Sequence, residues 1–205
     1  MRKTIARRAK EEKFWNWVTK NKIELEERMK SNQKDSRIYK ELTKELKKYN
    51  SILVYQITLT ENDEVVFIIT PDGIPEGVLP TEELYDSRPS LNNWIIKKFI
   101  QPKDEIQLNY DGIEYPSSDI EIIPELDENG WEVNIKVFIR NMNSDPKRHE
   151  ILSILYLEHI LGEYIIISKI GIMNCYHLEK DQSVENGISI LELRKFIEKE
   201  FRDNQ

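Results

Sequence analysis

The stretch from Pro146 to Leu161 constrains the fold more than any other part of this chain. On a helix that turns about 100° per residue, Ile151, Leu152, Ile154, Leu155, Leu157, Ile160 and Leu161 reach nearly the whole circumference. A helix apolar on every side is normally buried. The pattern therefore predicts a central helix over 146–161, with Leu155 near the middle of the core. Asp145 and Pro146 provide a cap and a first-turn proline, and Gly162 provides a stop.

A central helix needs a surface to pack on, and the preceding residues read as strands. Trp131, Val133, Ile135, Val137 and Ile139 alternate with Glu132, Asn134, Lys136, Phe138 and Arg140. That is the pattern of a half-buried antiparallel strand. Ile120–Leu126 precedes it across the turn Asp127-Glu128-Asn129-Gly130, and Ile52–Leu59 and Val65–Thr70 flank the polar turn 61–64. Trp94–Ile100 and Ile106–Tyr110 read as a strand pair, and Asp111-Gly112 as a two-residue hairpin leading to Ile113–Tyr115. Tyr164–Ile170 and Ile172–Tyr176 read as strands after the central helix. Thr81–Tyr85 is at most a short helix between prolines.

Helices open and close the chain. Phe14, Val18, Leu25 and Met29 form one stripe over residues 10–30. Residues 1–9 extend that helix with little apolar surface and are expected to be a mobile basic extension. After a break at 31–34, Asp35 or Ser36 caps a second helix with the stripe Ile38, Leu42, Leu46 and Tyr49. Ser189–Phe201 is the last helix. Strands that follow strands, without regular crossover helices, indicate an α+β protein rather than a doubly wound sheet. The sheet is expected to be largely antiparallel and built from hairpins. With no Pro/Gly/Ser-rich linker and no repeat, residues 1–205 read as a single α+β domain.

Charge and cysteine content bound the function. A third of the residues are charged, and the net charge is −7. Residues 1–50 nevertheless hold 16 Lys/Arg against 8 Asp/Glu. Such a basic leader can meet nucleic acid or an acidic partner, but solvated lysine-rich helices have the same composition; nucleic acid is not the expected partner. The one cysteine, Cys175, excludes an internal disulfide and fits a reducing compartment. No run reaches the roughly 18 apolar residues of a membrane span, and Met1–Arg8 lacks the apolar stretch of a signal peptide. A cytoplasmic protein away from membranes is the expectation.

Groups able to carry chemistry are few. Glu158 and His159 lie on the central helix with Glu163 just beyond, and a desolvated carboxylate beside an imidazole could transfer protons. A salt bridge or a backbone hydrogen bond at the helix C-terminus is the structural alternative. Cys175 and His177 point to one face of a strand, but zinc needs further ligands, and His149 lies about 15 Å along the helix from His159. No metal, cofactor or catalytic set is therefore assigned. The chain has no G-x-S-x-G and no glycine-rich phosphate loop, and Glu61, Asp63 and Glu64 lack the spacing of a calcium loop. Phe14, Trp15 and Trp17 follow Arg7, Arg8, Lys10 and Lys13, a juxtaposition open to membrane or base-stacking roles. Their helical spacing points instead to core packing.

The run Phe14-Trp15-Asn16-Trp17, then Glu41-Leu42 to Tyr49-Asn50, Ile68-Ile69-Thr70 with Asp72-Gly73, Trp94, Gln101-Pro102 and Leu161-Gly162-Glu163-Tyr164, resembles an uncharacterised family of small bacterial proteins. The resemblance implies a bacterial origin and a single α+β domain, and it assigns no activity. The function expected is a non-catalytic protein-interaction or regulatory domain, of immunity or inhibitor type, that binds another protein through a charged surface. The alternative is an enzyme or small-ligand-binding domain with a site assembled around Glu158, His159 and Glu163.

Overall fold

The computed structural model describes residues 2–31, 37–104, 108–110, 113–140, 146–179 and 181–201. Asp35, Ser36, Ile106, Asp111, Gly112 and Asp145, which were given cap, strand and turn roles, lie outside these residues. The architecture is α+β. It comprises two compact units, 1–99 and 100–205, where the sequence was read as one domain.

The first unit begins with helices α1 (Arg2–Lys30) and α2 (Arg37–Tyr49). Strands β1 (Val54–Leu59) and β2 (Val65–Thr70) follow as an antiparallel hairpin. The chain then passes through α3 (Val78–Asp86) to β3 (Trp94–Lys98), which lies parallel to β2. β3 was expected to pair with the segment after it. It joins β2 instead because α3 carries the chain back across the sheet, as a parallel neighbour requires. The helical stripes are buried as their spacing predicted, with Phe14, Val18, Leu25, Ile38, Leu42 and Leu46 almost wholly removed from solvent. Trp15 joins them, its Nε1–H donating to the Leu84 carbonyl at 2.9 Å and to Ser87 Oγ at 3.2 Å. Trp17 packs partly buried on the same cluster.

The second unit contains a small hairpin, β4 (Leu108–Tyr110) with β5 (Ile113–Tyr115), in which Tyr110 faces Ile113. Its main sheet has the order β6 (Ile120–Leu126), β7 (Val133–Arg140), β8 (Ile170–Leu178). β6 and β7 are antiparallel, and β7 and β8 are parallel. Each three-stranded sheet is thus mixed, where a largely antiparallel sheet built from hairpins was expected. Helices α4 (Pro146–Leu161) and α5 (Glu163–Lys169) carry the chain from β7 to β8, and α6 (Ile190–Glu200) follows. Ser189 caps α6 in a reciprocal pair with Glu192. Val133, Ile135, Val137 and Ile139 are buried in alternation, as their spacing required. Trp131 lies before the strand and is exposed.

Two expectations are corrected here. Tyr164–Ile170 is helical up to Lys169 rather than extended. Its β-branched residues favour a strand, but Ile165 and Ile166 pack on the core as a short helix. Glu163 in the first turn and Lys169 in the last complement the helix dipole. The second correction concerns α4, which is buried on one side only. Leu152, Ser153, Tyr156, Leu157, Ile160 and Leu161 face the core, while Ile151 and Ile154 are 42% and 48% exposed and Leu155 is half-buried. A helix laid on a single sheet face has half of its circumference covered. Tyr156, left out of the apolar count, occupies the position expected of Leu155.

No single helix among the described residues is long and apolar enough to cross a membrane. α4 and α5 approach that composition only as a pair bent by 109°. The bend falls at Gly162, whose φ of +83° favours glycine. A β-carbon there would also come within 2.9 Å of Pro102 Cδ and 3.3 Å of the Ile100 carbonyl oxygen.

Candidate functional site

The polar groups singled out on and after α4 surround that bend. Glu163 is 1% exposed. Its Oε2 accepts from the Ile100 backbone N–H at 3.0 Å, and its own N–H donates to the Ile100 carbonyl at 2.9 Å. His159 donates from Nδ1 to the Leu155 carbonyl at 2.7 Å, while its carbonyl accepts from the Lys103 N–H at 2.6 Å. The Glu158 carbonyl accepts from Gly162 N–H at 3.0 Å. These contacts hold residues 100–103 against the end of α4. For His159 the bond to the Leu155 carbonyl is the backbone hydrogen bond raised as the structural alternative.

Cys175 and His177 share one face of β8, as their spacing required. The half-buried thiol is pushed above its ordinary pKa by burial, and its Sγ lies 3.5 Å from Ser153 Oγ on α4. His177 Nε2 lies 3.4 Å from Glu179 Oε1 at the surface. Among the described residues no group of three or more His, Cys, Asp or Glu side chains is placed to hold a metal ion.

The opposite face of the β6–β7–β8 sheet has a different character. α4, α5 and α6 contribute to the core on the other side. The open face therefore presents Glu121, Ile123 and Glu125 from β6, Asn134, Lys136, Phe138 and Arg140 from β7, and Ile172, Asn174 and Tyr176 from β8. Phe138 and Tyr176 stack with centroids 5.0 Å apart and planes inclined by 21°. Ile172 is 65% exposed and Tyr176 is 42% exposed. A shallow depression of about 170 Å³ lies between Glu125, Asn134, Lys136, Ile172 and Asn174.

Ion pairs flank this apolar centre. Lys136 Nζ meets Glu125 Oε1 at 2.7 Å, a hydrogen bond that raises the lysine pKa. Arg140 pairs with Glu121 and donates to the Gln182 carbonyl at 2.9 Å and the Ser118 carbonyl at 3.2 Å. Glu121 Oε2 also accepts from the Val184 N–H at 2.7 Å. Arg140 and Glu121 thus fasten the loops at one end of the face. Lys136, Phe138, Asn174, Tyr176 and Ile172 remain as contact groups.

Part of this face was legible in the alternation of β7, which set Phe138 among polar residues on the outward side. The contribution of β8 was not, because nothing local to Ile170–Leu178 reveals that it lies parallel to β7 with Phe138 opposite Tyr176. Comparisons with protein-family models, with curated proteins and with solved structures return no match.

Proposed function

We propose that this chain is a non-catalytic interaction module, of immunity or inhibitor type, that binds a partner protein through the open face of the β6–β7–β8 sheet. The observation that carries this reading is the stack of half-buried Phe138 on exposed Tyr176, with exposed Ile172 on the same strand, bordered by the Lys136–Glu125 pair. Protein interfaces concentrate aromatic side chains at their centre and place polar groups at the rim. Such a centre supplies most of the affinity when truncated residue by residue. The shallow depression favours a broad protein contact over a small ligand, which usually sits in a deeper cavity. The polar atoms of Glu163 and His159 described above bond to backbone groups, an arrangement that favours a structural role over chemistry.

The test compares the tagged full chain with a Lys136→Glu/Phe138→Ala double variant in cells of its own source. A protein retained by the parent, rebound after purification and lost from a folded double variant supports the reading. Equal retention by both forms, or turnover of a small molecule that Glu163→Gln abolishes, overturns it.

A further inference from the structure

We propose that a second copy of this chain pairs antiparallel with the free edge of β8, about a two-fold axis at Asn174. This inference does not rest on the partner-binding reading: it uses the backbone edge of β8, although Ile172, Asn174 and Tyr176 also lie on the open face.

β8 is an edge strand: it hydrogen bonds to β7 on one side, and among the described residues no strand lies on the other. A free edge offers a row of backbone donors and acceptors whose natural complement is another strand. Such edges are usually guarded by charge, proline or short length. The opposite edge of the same sheet is guarded in these ways. β6 contains Pro124, Glu121 and Glu125, and Ile188 bridges to Ile122 through bonds of 2.8 and 2.9 Å. β8 has nine residues, Ile-Gly-Ile-Met-Asn-Cys-Tyr-His-Leu, with no Lys, Arg, Asp, Glu or Pro. A neutral edge of this length stands out in a chain that is 33% charged.

The strand is also complementary to itself. Beyond the register shift at Gly171 and Ile172, antiparallel overlap of Ile172–Tyr176 with its copy centres on Asn174. Ile172 then faces Tyr176 and Met173 faces Cys175, so that apolar side chains meet apolar ones. Asn174 faces its own counterpart, and no charged side chains oppose each other. Aliphatic–aromatic pairs of the Ile172–Tyr176 kind are favourable across strands, and a self-complementary patch is what a two-fold dimer requires. α4, which touches β8 through Ser153 and Cys175, brings the exposed Ile151 and Ile154 to the same unit. The product is one six-stranded sheet in which the two open faces become continuous.

Sedimentation equilibrium of the full chain tests this directly. The parent is expected to dimerise. Asn174→Lys and Asn174→Asp each place like charges opposite one another at the axis and should raise the dimer Kd about tenfold. An equimolar mixture of the two should associate more tightly than either alone. Circular dichroism verifies the fold of each variant. Ile172→Lys, which alters a side chain already in solvent, removes the aliphatic partner of Tyr176 two pairs from the axis and should also raise the dimer Kd. A parent that stays monomeric at about 0.1 mM overturns the proposal, as would be seen if β8 served a strand of another protein. A dimer indifferent to these substitutions, or a mixture no tighter than its components, overturns it as well.

Discussion

The two units run the same strand path and fill it with different chemistry. In each, an antiparallel hairpin leads through a helical connection to a third strand parallel to the second. In the first unit the connecting helix α3 has nine residues, and much of the core comes from α1 and α2. There the core is aromatic: Phe67 lies 6.4 Å from Phe14, 6.2 Å from Trp15, 5.5 Å from Tyr55 and 6.0 Å from Trp94, measured between ring centroids. In the second unit α4 has 16 residues and, with α6, covers the sheet with an aliphatic core in which Tyr156 and Phe201 are the buried rings. A strand path is set by backbone pairing and connection length. The filling depends on which helices are near enough to supply side chains, so one path accommodates two kinds of core.

The sharpest test of this contrast is Phe67→Ala. Phe67 is fully buried at the centre of the ring cluster, and its truncation should cost about 3–5 kcal/mol. Denaturant unfolding measures the loss, and hydrogen exchange should locate it within residues 1–99. A cost of about 1 kcal/mol would mean that the rings are interchangeable filling. In the second unit, Leu152→Ala should cost about 2–5 kcal/mol, whereas Leu155→Ala, half-buried on the outer side of α4, should cost about 1 kcal/mol or less. Equal losses at the two leucines would restore the all-round burial of α4.

Gly162→Ala probes the bend within the connection of the second unit. A left-handed backbone and a close approach to Pro102 both oppose the new methyl group, so a loss of about 1–3 kcal/mol is expected in thermal or denaturant unfolding. A neutral result would show that residues 100–103 can withdraw without consequence.

The smallest effect concerns the β6–β7 turn. Asp127 Oδ1 accepts from the Glu132 N–H at 3.0 Å and the Trp131 N–H at 2.6 Å, and Oδ2 accepts from the Asn129 N–H at 3.3 Å. These bonds, chiefly that from Glu132, hold its pKa below the usual aspartate value. A carboxylate depressed in the folded state contributes stability above its unfolded pKa and loses it as pH falls through the folded one. The advantage of the parent over Asp127→Ala should therefore be complete at neutral pH and shrink below about pH 4. A difference unchanged by acid would assign the effect to turn geometry alone.

Legibility followed the range of the interaction. β7 and the first two helices were readable because burial on one side imposes periods of 2 and 3.6 on the side chains themselves. Asp127-Glu128-Asn129-Gly130 was readable because a turn is decided within a few residues. α5 was misread because its run of isoleucines favours a strand locally, while its packing on the core of the second unit selects a helix. The role of Glu163 was not legible, because its bond to Ile100 joins positions 63 residues apart.

The amino-acid order by itself determined which faces of α1, α2 and β7 are apolar, where most strands turn, and that Phe138 points away from the core. Tertiary structure alone decided that β3 and β8 return parallel to their hairpins, that only half of α4 is covered, and that Phe138 meets Tyr176. Periodicity records how a residue relates to its own element. A parallel pairing records how two distant elements meet, and that depends on the length and bend of the helices between them.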